Sequence, residues 1–411
     1  MVAGTVVAIA VCGAGTAFWV SASESSGSGG TRTAAAADDG YPGLPHTTVQ
    51  VSPGGCGAGW TKPQSGLQVF DVTDAGVGAE DVYVKDAGTG AVLGEVEGLA
   101  PGRSRPMVVR LAAGSYTFMC LPQDDSAVTG PTVKVQGGAG SADGSSAGAP
   151  TAGTPAVLPV NQHDLTPPTL AYQKWVAGRL PGLAATVDTL KAAVDRGDLA
   201  AARGAWLPAH LDYERLGAAY GTFGDLDGSI NGTTKGLPGG LTDPGFTGFH
   251  RLEYGLWHGQ SAAALRPVAA QLVTDVASLQ KQWATEQMDP LELGLRAHEI
   301  VENTIQFELT ARTDYGSASN LATAQANLQG TAEALALLRP LLVPRMPSRP
   351  RIDAAMAASA AELAKLGAGR SAGVPLAALS TGDREQLNAV FGDLVTELAP
   401  VAAVCDVRRT S

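Results

Sequence analysis

The sequence predicts a multidomain chain in which a small β-sandwich is followed by an all-α helical bundle. Three observations lead to this prediction. Short segments rich in Val, Thr, Tyr and Phe, separated by turn residues, follow one another between residues 45 and 137. A stretch of Gly, Ser, Ala and Pro comes next. After about residue 165, apolar residues recur with the period of an α-helix, about 3.6 residues.

Residues 1–44 are predicted to be a signal or anchor segment followed by a disordered spacer. The first twenty residues contain no charged side chain, and a polar stretch of small residues follows them. This pattern is typical of an export signal or a membrane anchor. We therefore expect an extracytoplasmic protein, periplasmic or at the cell surface, that is either secreted or associated with the membrane through its N-terminus.

Residues 45–137 are predicted to form the β-sandwich, because seven short strand-like segments lie at the spacing typical of this fold, from TTVQVSP to PTVKVQG. Cys56 and Cys120 both lie in this region. In an oxidising compartment two such cysteines most often form a disulfide. Their separation would close a long loop, which is where a cross-link stabilises most in the entropy model.

Residues 138–160 are expected to form a flexible linker, since they offer almost nothing to bury. Residues 161–411 are predicted to form the helical bundle. Amphipathic segments succeed one another there, and hardly any strand pattern interrupts them.

The overall charge excludes one class of partner. The formal net charge is -11 at pH 7, and the sequence contains no basic run. Nucleic acid is therefore not expected to bind, because a phosphate-binding surface needs clustered Lys and Arg. An acidic chain is compatible with cation binding, although most surface carboxylates are simply solvated. The sequence also lacks HExxH, a P-loop and a dinucleotide fingerprint that follows a strand.

The segment FTGFHRLEYGLW, residues 246–257, carries the first candidate site. A helix is predicted from Asp243 as N-cap to a stop at Gly259. On such a helix His250 and Glu253 share the face of the aromatic residues. A buried carboxylate is costly unless something pairs with it. The pair is therefore predicted to bind a divalent metal, or else to form a core pair neutralised by Arg251 or a neighbouring helix.

A second helix, predicted within residues 290–313, also carries acids. Its apolar stripe is assigned to these residues: Leu291, Leu295, His298, Glu302, Ile305 and Leu309. His298 and Glu302 are thereby predicted to face the core. Glu299 and Glu308 fall beside the stripe and are expected to be solvated.

An earlier helix adds Glu214, which is predicted to point towards the core. Asp225 and Asp227 follow it as candidate loop ligands, although Asp in a Gly-rich turn more often serves the turn itself. Several uncompensated buried carboxylates would repel one another, and a bound cation removes that objection. Carboxylate-rich ligand sets suit iron or manganese, and zinc is an alternative.

These segments carry a resemblance to a known family. FTGFHRLEYGLW, together with DYERLGAAYGTFGDLDGSI before it and LVTDVASLQ after it, resembles the EfeO family. That family is the extracytoplasmic component of a bacterial ferrous iron import system. The resemblance implies an imelysin-like helical bundle with an HxxE motif and a cupredoxin-like β-sandwich. It also implies iron, as Fe2+ or Fe3+, as the bound metal. As partners it implies an Ftr-type iron permease in the membrane and a haem peroxidase of the same system.

The resemblance also assigns metal ligands. The family's ligands fall on four residues: His250, Glu253, Glu214 and Glu302. Two positions depart from the family pattern, since Gly217 and Asn231 stand where many relatives carry a glutamate and an aspartate. We therefore expect a weaker or rearranged metal site, with His298 as a candidate replacement ligand.

In the β-sandwich, the family's two cysteines fall on Cys56 and Cys120. The resemblance implies that a second metal, with copper as a candidate, binds there beside a methionine and a glutamate. Met119 and Glu80 would have to serve. Met119 is shifted by one residue from the expected position, which on a strand places it on the other face. A disulfide and a metal site both remain open.

The leading hypothesis is a non-enzymatic metal-binding component that captures iron outside the membrane and delivers it to a permease. The first alternative is an imelysin-type peptidase, in which a metal-bound water is the nucleophile and Glu302 or Glu214 the base. The second is a non-catalytic surface protein that binds polysaccharide or a partner, in which the acids are structural.

Overall fold

The computed structural model describes residues 41, 43–123, 125–136, 158–346, 348–369 and 374–408. Most of the predicted leader and spacer and most of the predicted linker lie outside these residues. Nine strands and then ten α-helices are found in the described part. The strands are β1 His46–Ser52, β2 Gly55–Ala58, β3 Gly66–Asp74, β4 Glu80–Asp86, β5 Val92–Leu99, β6 Ser104–Leu111, β7 Gly114–Pro122, β8 Val128–Thr129 and β9 Val133–Val135. The helices are α1 Gln162–Asp195, α2 Leu199–Glu214, α3 Tyr220–Phe223, α4 Asp225–Asn231, α5 Gly248–Trp257, α6 Ala262–Trp283, α7 Glu292–Asn303, α8 Asn320–Leu342, α9 Arg349–Leu366 and α10 Thr381–Cys405.

The β-region is a sandwich of two sheets, as predicted. One sheet has the order β2-β1-β3-β6, and the other has the order β5-β4-β7-β8 with β9 also paired to β7. β1 and β3 run parallel, and the other pairs are antiparallel. The apolar core includes Phe70, Val84 and Phe118, which are buried between the sheets.

The two cysteines of the sandwich are joined to each other. Cys56 and Cys120 form a disulfide, with 5.8 Å between their Cα atoms. Met119 lies on the opposite face of β7, in a separate apolar cluster with Tyr83, and its Sδ is 3.3 Å from Lys85 Nζ. Because the sulfurs are used in a covalent bond and neighbouring strand residues face opposite ways, these side chains do not form the expected copper site.

Glu80, the remaining residue of that expected site, starts β4 and is 3% exposed. Neither of its carboxyl oxygens has a hydrogen-bond donor from the described protein atoms apart from the neighbouring Asp74 carboxyl, which is also buried. Burial, followed by the charge and hydrogen bond of Asp74, raises the pKa of Glu80 to about 7. Glu80 therefore shares its surroundings with another acid rather than with the sulfur atoms.

The helical region confirms the predicted bundle. α1 begins at a capping box in which Asn161 and Asp164 each accept the other's backbone N–H. α1 packs along α2 and α6, and α10 packs along α7 and α9. α10 is long and apolar enough to span a membrane by length and composition, a property that core helices of soluble proteins share.

The end of the helical region reaches back to the sandwich. The Arg408 guanidinium donates two hydrogen bonds to the Glu95 carboxylate on β5, at 2.7 and 2.9 Å. The backbone N–H of Arg408 donates to the carbonyl of Val160, which precedes α1. A bidentate ion pair thus ties the C-terminal segment to β5.

Candidate metal-binding site

α5 carries the HxxE motif and begins later than predicted. Thr247, not Asp243, is its N-cap. Asp243 instead accepts the backbone N–H groups of Gly239 and Gly245 and closes the preceding turn. The predicted stop is correct to within two residues, because α5 ends at Trp257.

A glycine allows α5 to lie against α4. Gly248 has a φ of +69°, and a Cβ at this position would lie 2.0 Å from the carbonyl oxygen of Ile230. Only glycine fits such a backbone contact and such a φ. The contact places the end of α4, including Asn231, beside the first turn of α5.

His250 and Glu253 are buried, as predicted, with 2% and 1% exposure. His250 Nδ1 lies 3.1 Å from Glu253 Oε2, so Nε2 is the ring nitrogen that this contact leaves available. Glu253 Oε1 accepts hydrogen bonds from the backbone N–H groups of Tyr315 and Ser317 and from the Ser317 hydroxyl, at 3.0, 3.1 and 2.6 Å. Burial favours the protonated carboxyl, but His250 and Ser317 outweigh it and lower the pKa of Glu253. Glu253 is therefore a charged group that orients His250.

α2 supplies a second histidine–glutamate pair. His210 Nε2 lies 2.9 Å from Glu214 Oε1, one helical turn away, and both residues are buried. Asn231 links them, since its Nδ2 donates to Glu214 Oε1 at 2.7 Å and its Oδ1 is 3.1 Å from His210 Nε2. Burial favours neutral forms of both groups. Nevertheless, their mutual attraction raises the pKa of His210 and, with Asn231 and His250, lowers that of Glu214.

Glu308 supplies a further acid, from the π-helical turn Thr304–Glu308 that continues α7. It is buried and accepts hydrogen bonds from the Thr313 hydroxyl at 2.6 Å and from Asn320 Nδ2 at 2.8 Å. Burial, followed by the negative charge of Glu214, raises the pKa of Glu308 to about 7. Glu214 and Glu308 are therefore close enough to repel each other.

Several of these groups line one cavity of about 330 Å³. Its lining includes His250, Glu214, Glu308, Asp227, Asn231 and Asn327. The Tyr213 hydroxyl donates to Asp227 Oδ1 at 2.6 Å, and burial raises the pKa of Asp227 to about 6. Two basic residues, Lys235 and Arg296, also line the cavity, but Arg296 is paired with Glu292 and Glu299.

Three of the predicted ligands lie elsewhere. Glu302 and His298 do not line the cavity, and the Glu302 side chain is 42% exposed. Asp225 is exposed, and it belongs to α4 rather than to a loop. Conversely Glu308, which we expected to be solvated, faces the cavity.

The error on α7 has a packing reason. Leu291 and Leu295 are 45% and 40% exposed, so the leucine stripe faces outward. Gly294 faces inward, where a Cβ would lie 2.4 Å from the Cβ of Cys405 on α10. The stripe used for the prediction lies beside the packed face of α7, which consists of Leu293, Gly294, Ala297, Ile300 and Val301.

Sequence reasoning also missed His210 and Asn327. His210 stands four residues before Glu214, a spacing that places both on one helical face. Asn327 comes from α8. With its amide oriented to satisfy both neighbours, it donates to Glu214 Oε2 at 2.9 Å and accepts from the Thr304 hydroxyl at 3.2 Å.

The cavity contains charged side chains, but their positions are not those of a preformed metal site. Among the described residues, no group of three or more His, Cys, Asp or Glu side chains is already placed to hold a metal ion. His250, Glu214 and Glu308 line one cavity and come from three different helical segments. A cation entering the cavity would have to draw these groups together.

Comparisons with known proteins identify the family of the chain. The model of the imelysin family, peptidase family M75, matches residues 169–401. The chain is also 30% identical over 252 residues to the iron uptake system component EfeO of Escherichia coli K12. The same figures hold for EfeO of Shigella flexneri and of Shigella sonnei. The aligned part covers 61% of this chain and 63% of each relative. The predicted resemblance to EfeO is thereby confirmed, and because the family model covers more than half of the chain, the chain belongs to the imelysin family.

Proposed function

We propose that the helical region captures an iron ion in the 330 Å³ cavity, with His250, Glu214 and Glu308 as its ligands. The observation that carries this proposal is the pair of buried carboxyl groups, Glu214 and Glu308. They face one cavity, and no described Lys or Arg forms an ion pair with either. A cation would replace their repulsion with attraction. Nitrogen and carboxylate oxygen ligands suit iron, with manganese and zinc as competitors.

Glu253 has a supporting role in this proposal. Its oxygens are already engaged by His250, Tyr315 and Ser317. A carboxylate that accepts from a ligand histidine fixes the ring orientation and makes the other ring nitrogen a better ligand. The second residue of HxxE would therefore position the first one.

The relatives support a proposal for the wider role. We propose that the chain is the metal-binding component of an iron uptake system, that it works outside the cytoplasm, and that it delivers its iron to an Ftr-type permease. A haem peroxidase of the same system is a further proposed partner. The name of the EfeO relatives supports the iron uptake role.

Isothermal titration of the full chain with Fe2+ under anaerobic conditions tests the capture step. We expect one saturable site, and at least a tenfold weaker affinity in His250→Ala, equivalent to about 1.4 kcal/mol. His298→Ala is the matched control, because His298 lies outside the cavity, and it should bind like the unmodified chain. Saturable binding that is equal in both variants would contradict the proposed ligand set.

The peptidase alternative rests on Glu308. A carboxyl group with a pKa of about 7 is suited to act as a general base beside a metal-bound water. Glu302, which was first considered for this role, lies outside the cavity. Metal-dependent hydrolysis of a peptide mixture by the full chain, abolished in Glu308→Gln, would favour this alternative over capture alone.

A further inference from the structure

A second cavity, of about 490 Å³, adjoins α5 at Arg251, the residue after the motif histidine. Apolar side chains form much of its wall, among them Leu241, Phe246 and Val268. Arg251 and Gln260 bring polar groups into it. Neither Arg251 nor Gln260 lines the cavity that contains His250. α5 therefore separates two cavities with different linings.

Arg251 has no partner in the part of the chain that the structure describes. Its guanidinium makes no hydrogen bond or ion pair there, and its Nη1 is buried. The buried Oε1 of Gln260 is also unpartnered. Both atoms lie beside Gly255, at 3.1 and 2.8 Å from the position a Cβ would take there. A partly buried guanidinium without an anion is costly, because it gives up water and gains nothing in return.

The nearby acids do not neutralise Arg251. Asp243 lines the same cavity, but its two carboxylate oxygens accept the backbone N–H groups of Gly239 and Gly245. Gln271, also in the lining, donates to Asp275 on its own helix. Burial lowers the pKa of Arg251, and Tyr254, not a carboxylate, is the group that opposes this.

We propose that this second cavity binds a small organic carboxylate through Arg251. A guanidinium matches a carboxylate with two parallel hydrogen bonds. The walls formed by Leu241, Phe246 and Val268 suit the hydrocarbon part of such a molecule. The volume lies in the usual range of small-molecule sites, about 300–1,000 Å³. The inference is independent of iron capture, since the two cavities have different linings.

Isothermal titration of the metal-free full chain with citrate tests this site, because citrate is a small tricarboxylate. We expect saturable binding that is at least tenfold weaker in Arg251→Gln. Leu241→Glu, at a wall position that is 42% exposed, should weaken binding as strongly by placing a competing carboxylate at the cavity. Arg384→Gln is the matched control, an exposed arginine on α10, and should leave the affinity unchanged.

Three outcomes would overturn the proposal. The first is the absence of saturable citrate binding to the folded chain. The second is binding that neither Arg251→Gln nor Leu241→Glu weakens. The third is inorganic phosphate binding at least as tightly as citrate, since the apolar walls would then have no role. Two variants at different positions keep the test decisive if one of them fails to fold.

Discussion

The sandwich and the bundle both bury a pair of carboxyl groups, and in each pair one member has a pKa of about 7. In the sandwich, Glu80 lies beside Asp74, and several oxygens of the two have no donor among the described protein atoms. In the bundle, every carboxylate oxygen of Glu214 and Glu308 has a side-chain donor when Asn327 is oriented as described. The two carboxyl pairs are therefore both buried, but they differ greatly in the number of hydrogen-bond donors to their oxygens.

The difference in hydrogen bonding distinguishes a carboxyl pair that only destabilises the fold from a pair that is suited to bind a cation. Donors to a carboxylate favour its charged form, and the cavity beside Glu214 and Glu308 leaves room for a cation. In the sandwich pair only Asp74 Oδ1 has a donor, the backbone N–H of Gly76 at 2.6 Å, so a shared proton is the simplest way to reduce the repulsion. A raised pKa alone therefore does not identify a metal site.

The largest expected effect concerns the disulfide of the sandwich. Replacing both Cys56 and Cys120 with Ala should destabilise the β-region by about 2–4 kcal/mol, because the cross-link limits the unfolded chain over a separation of 64 residues. Scanning calorimetry of the full chain measures this. Cys405→Ala, at the free buried cysteine of α10, should leave the β-region transition in place. If the double variant instead kept its stability and lost copper binding, the sandwich would be a metal site and the comparison would fail.

A smaller effect is expected for the acids of α7 and its extension. Glu308→Gln should weaken Fe2+ binding about tenfold, because it removes one charged oxygen ligand from the cavity. Glu302→Gln is the matched control, since its side chain is 42% exposed and outside the cavity. Titration calorimetry of the two variants compares them directly. The reverse order of effects would restore the ligand first predicted from the sequence.

The sequence predicts α5 and its chemistry well for a physical reason. In FTGFHRLEYGLW the large apolar residues and the polar pair share one face, so the buried side is unambiguous. His250 and Glu253 are indeed buried. On α7 the sequence offers two apolar stripes: Leu291 and Leu295 lie on the exposed one, whereas Leu293 lies on the buried one. Close packing by Gly294 decides the orientation there, and it depends on the contact with α10.

Other parts of the candidate site depend on contacts between distant segments. Asn327 reaches Glu214 from α8, and Thr313 and Asn320 reach Glu308. Periodicity within one helix carries no information about such partners. The sequence likewise does not show that Arg251 is unpaired, because it shows the charged residue but not which residues lie near it in the fold.

The smallest expected effect is the pH dependence of the stability of the sandwich. The pKa of Glu80 is raised from 4.5 to about 7 in the folded protein, so the folded state binds the proton more tightly than the unfolded one. Its contribution to stability is therefore fully present below about pH 4.5 and is lost as the pH rises to about 7. With an allowance for solvent screening, the loss should be about 1 kcal/mol.

Glu80→Gln cannot ionise and should remove this loss, so that the variant is more stable than the unmodified chain at pH 8 but not at pH 4.5. Calorimetric scans of the β-region transition at both pH values measure it, with the exposed Glu385→Gln as control. A variant that is less stable at pH 8 would mean that Glu80 is charged and has a cation as its partner, and the two regions would then be alike.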